Sequence, residues 1–441
     1  MTTSTASSSP TSISERWAAK FFTIWGGQAF SLVGSALVQF ALVWWLTAKT
    51  GSATVLATAT LVALLPQIVL GPFVGALVDR WDRRLIMIVA DSSIAAATGA
   101  LIFLFATGRV QVWHIFSIMF LHSLGGAFHG PAMTSSTSLM VPDKHLARIA
   151  GMNQTLQGII SIFAPPLGAL LISLLPTEQV LAVDIGTAAI AVIPLFFIPI
   201  PQPPRQAAQA SGATQRTSYW HDLRAGFLYV VKWPGLLGVI LLAMLLNFLL
   251  SPASSLLPLL VKQEFHGGAQ QLAWVESVFG VGVILGGLAL SVWGGFKRRI
   301  MTSFCGIVGI GAGIALAGLT PADLFWLLLV TNFVIGFTQV FANGPLLAIF
   351  QSAVTPDMQG RVFSLISAGA AAMMPLSLLI AGPVADWLGV RVWYVFGGAV
   401  CILTTVAALF IPAIVNIEQN RLPASEERNT RPPVVSSDSG A

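Results

Sequence analysis

Charge is what this chain has least of. Of its 441 residues only 9% are Asp, Glu, Lys or Arg, against 55% hydrophobic, and mean hydropathy is +0.82. A soluble domain carries roughly 25% charged residues, so most of this surface is not built for water. Cysteine is nearly absent. Cys305 and Cys401 both lie inside apolar runs, with no spacing that suggests a disulfide framework or a metal site. There is no Gly-x-x-x-x-Gly-Lys-Ser/Thr phosphate loop, which excludes an ATP-driven pump of that kind. No nucleophile is clustered with a base, so the chain reads as a non-enzyme without cofactor or metal. Residues 1–15 are Ser/Thr-rich without a basic start or a cleavage site, so no removable leader is expected.

What is present is a series of long apolar runs. A membrane span needs about 20 such residues to cross roughly 30 Å of hydrocarbon. Twelve fit, at 18–46, 53–78, 85–106, 112–140, 151–175, 179–199, 235–261, 271–295, 301–319, 322–350, 362–387 and 392–415. Lipid leaves the backbone only a helix or a closed barrel. Leu236–Leu250 does not alternate as barrel strands do, so the expected class is an all-α integral membrane protein with twelve transmembrane helices.

The same punctuation occurs twice. Arg84 answers Arg299, Pro142 answers Pro356, Arg148 answers Arg361 and Gly168 answers Gly382, all at offsets of 213 to 215. That predicts two homologous six-helix bundles, at 18–199 and 235–415, of the kind that enclose a transport path. Residues 1–17 then form an N-terminal tail, 200–234 a linker between halves, and 416–441 a disordered polar tail.

Eighteen of the 22 Lys and Arg fall in the tails and the even-numbered connections; only Lys49, Arg109, Lys262 and Arg391 fall in the odd ones. Positive charge stays inside. Both termini and the linker are therefore expected in the cytoplasm, with the chain multi-pass in the cell membrane. The net charge of +5 is a topology signal and does not imply nucleic-acid binding.

Several motifs stand out against this apolar background. The turn after the second run reads Gly75-Ala-Leu-Val-Asp79-Arg80-Trp-Asp82-Arg83-Arg84, and the first run carries Gly27-Gln28 with Ser31 and Gly34, then Thr50-Gly51-Ser52-Ala53. Further on come Asp91, Ala127-Phe128-His129 with Pro131, Asp184 and Gly360-Arg361-Val-Phe-Ser-Leu-Ile366. With these residues the chain resembles the major facilitator superfamily, and within it the macrolide-efflux branch of the drug:proton antiporters. The resemblance implies a carrier whose central cavity opens alternately to either side. It also implies that Gly75, Asp79, Arg80, Arg83 and Arg84 act as a cytoplasmic latch. Asp82 stands where the family has glycine and is expected to add a second latch anion. Gly75 would let two helices approach. The family's antiporter motif corresponds to Gly158, Pro165, Pro166 and Gly168, with Ala164 where glycine is usual. The prolines bend the helix and Gly168 permits close packing.

A charge at mid-bilayer costs at least about 2.5–3.5 kcal/mol, so ionisable groups at that depth need a reason. The proton-coupling candidates are Asp91, His122, Asp184 and Glu276. Asp91, seven residues past Arg84, is expected to partner the latch arginines. His122 takes the place of an arginine that many relatives carry in the fourth span, and it titrates near pH 6.5 when unperturbed. The cavity is expected to be mainly apolar with sparse polar groups: Gln28, Gln39, His129, Gln157, Asn247, Gln339 and Asn343, walled by Trp25, Phe128, Phe248 and Phe337. The resulting expectation is a monomeric, proton-coupled exporter of lipophilic, macrolide-type drugs, bedded in membrane lipid. Export of another amphipathic solute, such as a siderophore or lysophospholipid, is the alternative.

Overall fold

Helix is the only regular structure in the computed structural model, which describes residues 17–202 and 219–418. Six long helices come first: α1 (Trp17–Thr50), α2 (Ala53–Val78), α3 (Arg83–Ala106), α4 (Val112–Met140), α5 (Asp143–Leu174) and α6 (Thr177–Phe197). A shorter α7 (Tyr219–Lys232) follows. Then come α8 (Pro234–Glu264), α9 (Ala269–Trp293), α10 (Arg299–Leu319), α11 (Phe325–Ala353), α12 (Pro356–Leu388), α13 (Val390–Leu409) and a single turn, α14 (Pro412–Val415). The expected tails and the middle of the linker lie largely outside the described residues, as do six of the cations counted for topology: Arg16, Arg205, Arg216, Arg421, Arg428 and Arg431.

Twelve helices are therefore long, but among the described residues eleven are also apolar enough to cross a membrane. The twelfth is α4. It carries His114, His122, His129 and an unbroken hydroxyl run from Thr134 to Ser138, which lower its hydropathy. Three boundaries differ from expectation. Helix α5 begins at Asp143 and α12 at Pro356, six to eight residues early, because a helix can continue past the apolar run into polar surroundings, where Lys144 and Arg148 are exposed. The last long helix stops at Leu409 and α14 restarts at Pro412, whose ring removes a backbone donor. The described end of the linker is helical. On α7 and just beyond it, Tyr229, Val230 and Trp233 are buried against Leu236, Ile300 and Phe304.

The chain divides into two units, Met1–Val43 with Val62–Ala213 and Trp44–Leu61 with Thr214–Ala441. The division does not follow the linker alone, since one end each of α1 and α2 belongs to the second unit. In the first unit α3 packs on both α4 and α6, and Gly27 brings α1 so close to α6 that a Cβ would lie 2.8 Å from the Ile190 carbonyl. In the second unit α11 packs on α9 and α10, α10 on α13, and α8 on α12 and α13. The α9–α11 contact is reciprocal. A Cβ on Gly282 or Gly286 would strike the carbonyls of Phe333 or Phe337, and one on Gly336 that of Phe279. Small residues replace hydrophobic drive as the means of helix association in lipid.

Candidate functional site

Three helices of the first unit each carry two polar residues seven apart: Gln28 and Ser35 on α1, Asp91 and Thr98 on α3, His122 and His129 on α4. Seven residues is close to two turns, so each pair shares a helix face, roughly 10 Å apart at 1.5 Å per residue. Helix α6 adds Asp184. All of these but Thr98, which lies fully buried behind them, line a cavity of about 380 Å3 that Gln39, Gln67 and Met119 also border.

The polar groups sort into two layers. In the first, Gln28 Nε2 donates to Asp91 Oδ2 at 3.1 Å, and His129 Nε2 lies 3.6 Å from Asp91 Oδ1. That separation is beyond a hydrogen bond, and the buried His129 Nε2 has no hydrogen-bond partner among the described residues. In the second, Asp184 accepts from Ser35 Oγ and from Thr98 Oγ1, each at 3.1 Å. His122 Nε2 lies 3.2 Å from Thr98 Oγ1 and 3.9 Å from Asp184 Oδ2. Asp184 is 1% exposed and Asp91 6%. Two carboxylates so deeply buried are expensive unless paired. Here each faces a histidine that balances its charge when protonated and leaves it uncompensated when neutral.

Asp91 thus partners a glutamine and a histidine; the expected latch arginines are engaged elsewhere. Arg84 donates through Nε to the Leu195 carbonyl and through a terminal nitrogen to the Phe196 carbonyl at 2.7 Å, so it caps the end of α6. Arg83 is buried and pairs with the exposed Asp79 at 3.3 Å. Asp82 is the N-cap of α3: its carboxylate accepts from the Leu85 backbone N–H at 3.1 Å and faces Gln202 Nε2 at 3.3 Å. Arg80 is exposed. Gly75 makes no close approach, since a Cβ there would meet nothing within 4 Å.

In the antiporter stretch α5 runs unbroken through Pro165 and Pro166. A Cβ on Gly168 would lie 2.8 Å from the Phe40 ring, while one on Gly158 would meet nothing. The remaining cavity candidates make these contacts. Trp25 Nε1 donates to Asn153 Oδ1 at 2.7 Å, and Phe128 stacks on Trp81 with centroids 6.2 Å apart. Gln157 is exposed. In the second unit Asn247 Nδ2 donates to its own helix at Ala243 O, and Asn343 Nδ2 to Gln339 O. The Phe248 carbonyl accepts from Ser377 Oγ. Phe337 stacks between Phe333 and Phe341 along α11, centroids 6.0 and 5.2 Å away. Glu276 is half-buried in α9. Thr98 and Ser35 escaped the sequence reading, although the repeated seven-residue spacing on α1, α3 and α4 was there to find them.

Comparison with known proteins gives this geometry a context. Residues 24–367 and 236–436 match the Major Facilitator Superfamily. Macrolide efflux protein A of Streptococcus pyogenes is 34% identical over 398 residues, covering 90% of this chain and 97% of that protein. A protein of the same name from Enterococcus faecalis is 33% identical over 328 residues, 74% of this chain and all of that one. The multidrug efflux pump Tap of Mycolicibacterium fortuitum is 24% identical over 86% of this chain and 93% of its own length. Among solved structures, a POT family transporter in complex with 5-aminolevulinic acid superposes with a TM-score of 0.65 at 12% identity, over 90% of this chain and 96% of that one. The twelve long helices, the paired units and the near full-length relatives agree: the chain belongs to the Major Facilitator Superfamily, in the family of macrolide efflux protein A.

Proposed function

We propose that this protein is a proton-coupled exporter of lipophilic, macrolide-type drugs that works by alternating access. The observation that carries the reading is the 34% identity to macrolide efflux protein A over nine-tenths of the chain. The cavity of the first unit supports it chemically. Its walls combine apolar side chains with two histidine–carboxylate layers. A macrolide carrying an amine is an amphipathic cation; a buried carboxylate attracts it, and a proton arriving on the same layer removes that attraction. Inward movement of protons then drives release of drug on the far side. In this reading the protein is a monomer in the cell membrane, with both termini in the cytoplasm, as the distribution of cations predicts.

Cells expressing the protein should accumulate less labelled macrolide than cells that do not, and an uncoupler should abolish the difference. Equal accumulation overturns the substrate. A difference that survives the uncoupler overturns the proton coupling. Reporter fusions to the two ends test the topology, with both expected on the cytoplasmic side.

A further inference from the structure

We propose that Thr98 is a positioning residue, the hydroxyl bridge of a proton relay between His122 and Asp184. His122 Nε2 and Asp184 Oδ2 are 3.9 Å apart, too far for a direct hydrogen bond. The Thr98 hydroxyl lies between them, 3.2 Å from the nitrogen and 3.1 Å from the oxygen, and its residue is fully buried. A hydroxyl has one proton and two lone pairs. Its proton goes to the Asp184 carboxylate, so only a lone pair faces His122. Neutral His122 must therefore carry its hydrogen on Nε2, leaving Nδ1 as the atom that accepts an incoming proton. Ser35, donating to Oδ1 at 3.1 Å, holds the carboxylate so that Oδ2 meets Thr98.

The transfer balances. A proton bound at Nδ1 makes the imidazolium. The Nε2 proton then passes to Thr98 Oγ1 as the Thr98 proton passes to Asp184 Oδ2. An imidazolium and a carboxylate become a neutral imidazole, protonated on Nδ1, and a neutral carboxylic acid. One proton has crossed from the α4 side of the layer to α6, with no net charge left buried. The titratable groups facing this layer are Asp91 and His129, one layer away. Helix α1 contributes Gln28 and Ser35, and α2 contributes Gln67, all uncharged.

The relay rests on the proton-coupled reading, and two measurements separate them. In purified protein with 15N-labelled histidine, the neutral His122 resonance, assigned by its loss in His122→Gln, should report hydrogen on Nε2. Thr98→Ser should keep that tautomer and Thr98→Val should lose it. Hydrogen on Nδ1 in the parent, or a spectrum unchanged by Thr98→Val, overturns the bridge. In proteoliposomes, labelled macrolide is followed both in counterflow and under a pH gradient. Thr98→Val should lower the ratio of gradient-driven to counterflow rate about tenfold, with Thr98→Ser restoring it. An unchanged ratio overturns the relay alone. A parent whose transport ignores the gradient overturns the proton-coupled reading and the relay's role in transport together, whatever the tautomer.

Discussion

Gly168 offers a test in which sterics and helix propensity oppose each other. A methyl group at this position would lie 2.8 Å from Phe40 Cδ1 and 3.3 Å from Cγ. Phe40 is 7% exposed, so its ring has little room to retreat. Overpacking of this sort costs about 1–3 kcal/mol. Replacing glycine by alanine inside a helix returns roughly 0.5–1 kcal/mol. Gly168→Ala should therefore destabilise the protein by about 1 kcal/mol, and Gly168→Val by more. Phe40→Leu, which removes the offending ring edge, should cost about 1–2 kcal/mol alone. Combined with Gly168→Ala, the pair should be more stable than the sum of the single losses by about 1 kcal/mol. Thermal unfolding in detergent, ordered across the four proteins, reads this directly. A Gly168→Ala variant that melts at or above the parent, or strict additivity in the pair, refutes the claim that α5 is seated through this contact.

Arg84→Met should weaken the protein by about 1.5–3 kcal/mol, since it strips the end of α6 of both its guanidinium contacts; Arg84→Lys should recover part of the melting temperature. Asp82→Ala should cost about 1 kcal/mol as a lost N-cap while Asp82→Asn is tolerated; impaired macrolide efflux in Asp82→Asn would return Asp82 to the role of a latch anion.

Much of this architecture was legible because lipid enforces it. Apolar runs mark helices, and proline and charge mark their ends. Asp82 shows where a local signal was available and outweighed. An aspartate three residues before the first amide of an apolar run is an N-cap pattern, yet its place in the family's latch segment suggested a second latch anion. Asp91 shows what no local pattern supplies. It shares a helix face with Arg84, but it lies about 10 Å deeper, and its partners arrive from α1 and α4. Sequence spacing orders residues along one helix and says nothing of which other helix lies opposite. Asn247, Asn343 and Phe337, expected on the cavity wall, have local partners that spacing does not predict either. In the fold their side-chain amides turn back on their own backbones, and the Phe337 ring is stacked within α11.

The seven-residue spacing on α1, α3 and α4 has a consequence for coupling. It stacks two layers, each a carboxylate facing a histidine, roughly 10 Å apart along the helices. No hydrogen bond spans that distance, and effects of substitutions more than about 7–10 Å apart usually add. If each layer loads its proton separately, Asp91→Asn and Asp184→Asn should each reduce gradient-driven macrolide efflux, and the logarithms of the two reductions should sum in the double variant. If both carboxylates instead serve one shared proton, the second substitution should add little to the first. Initial rates from proteoliposomes of the four proteins, normalised to protein content, separate the cases. A double variant no slower than its slower parent would mean that the two layers work as one site, despite the distance between them.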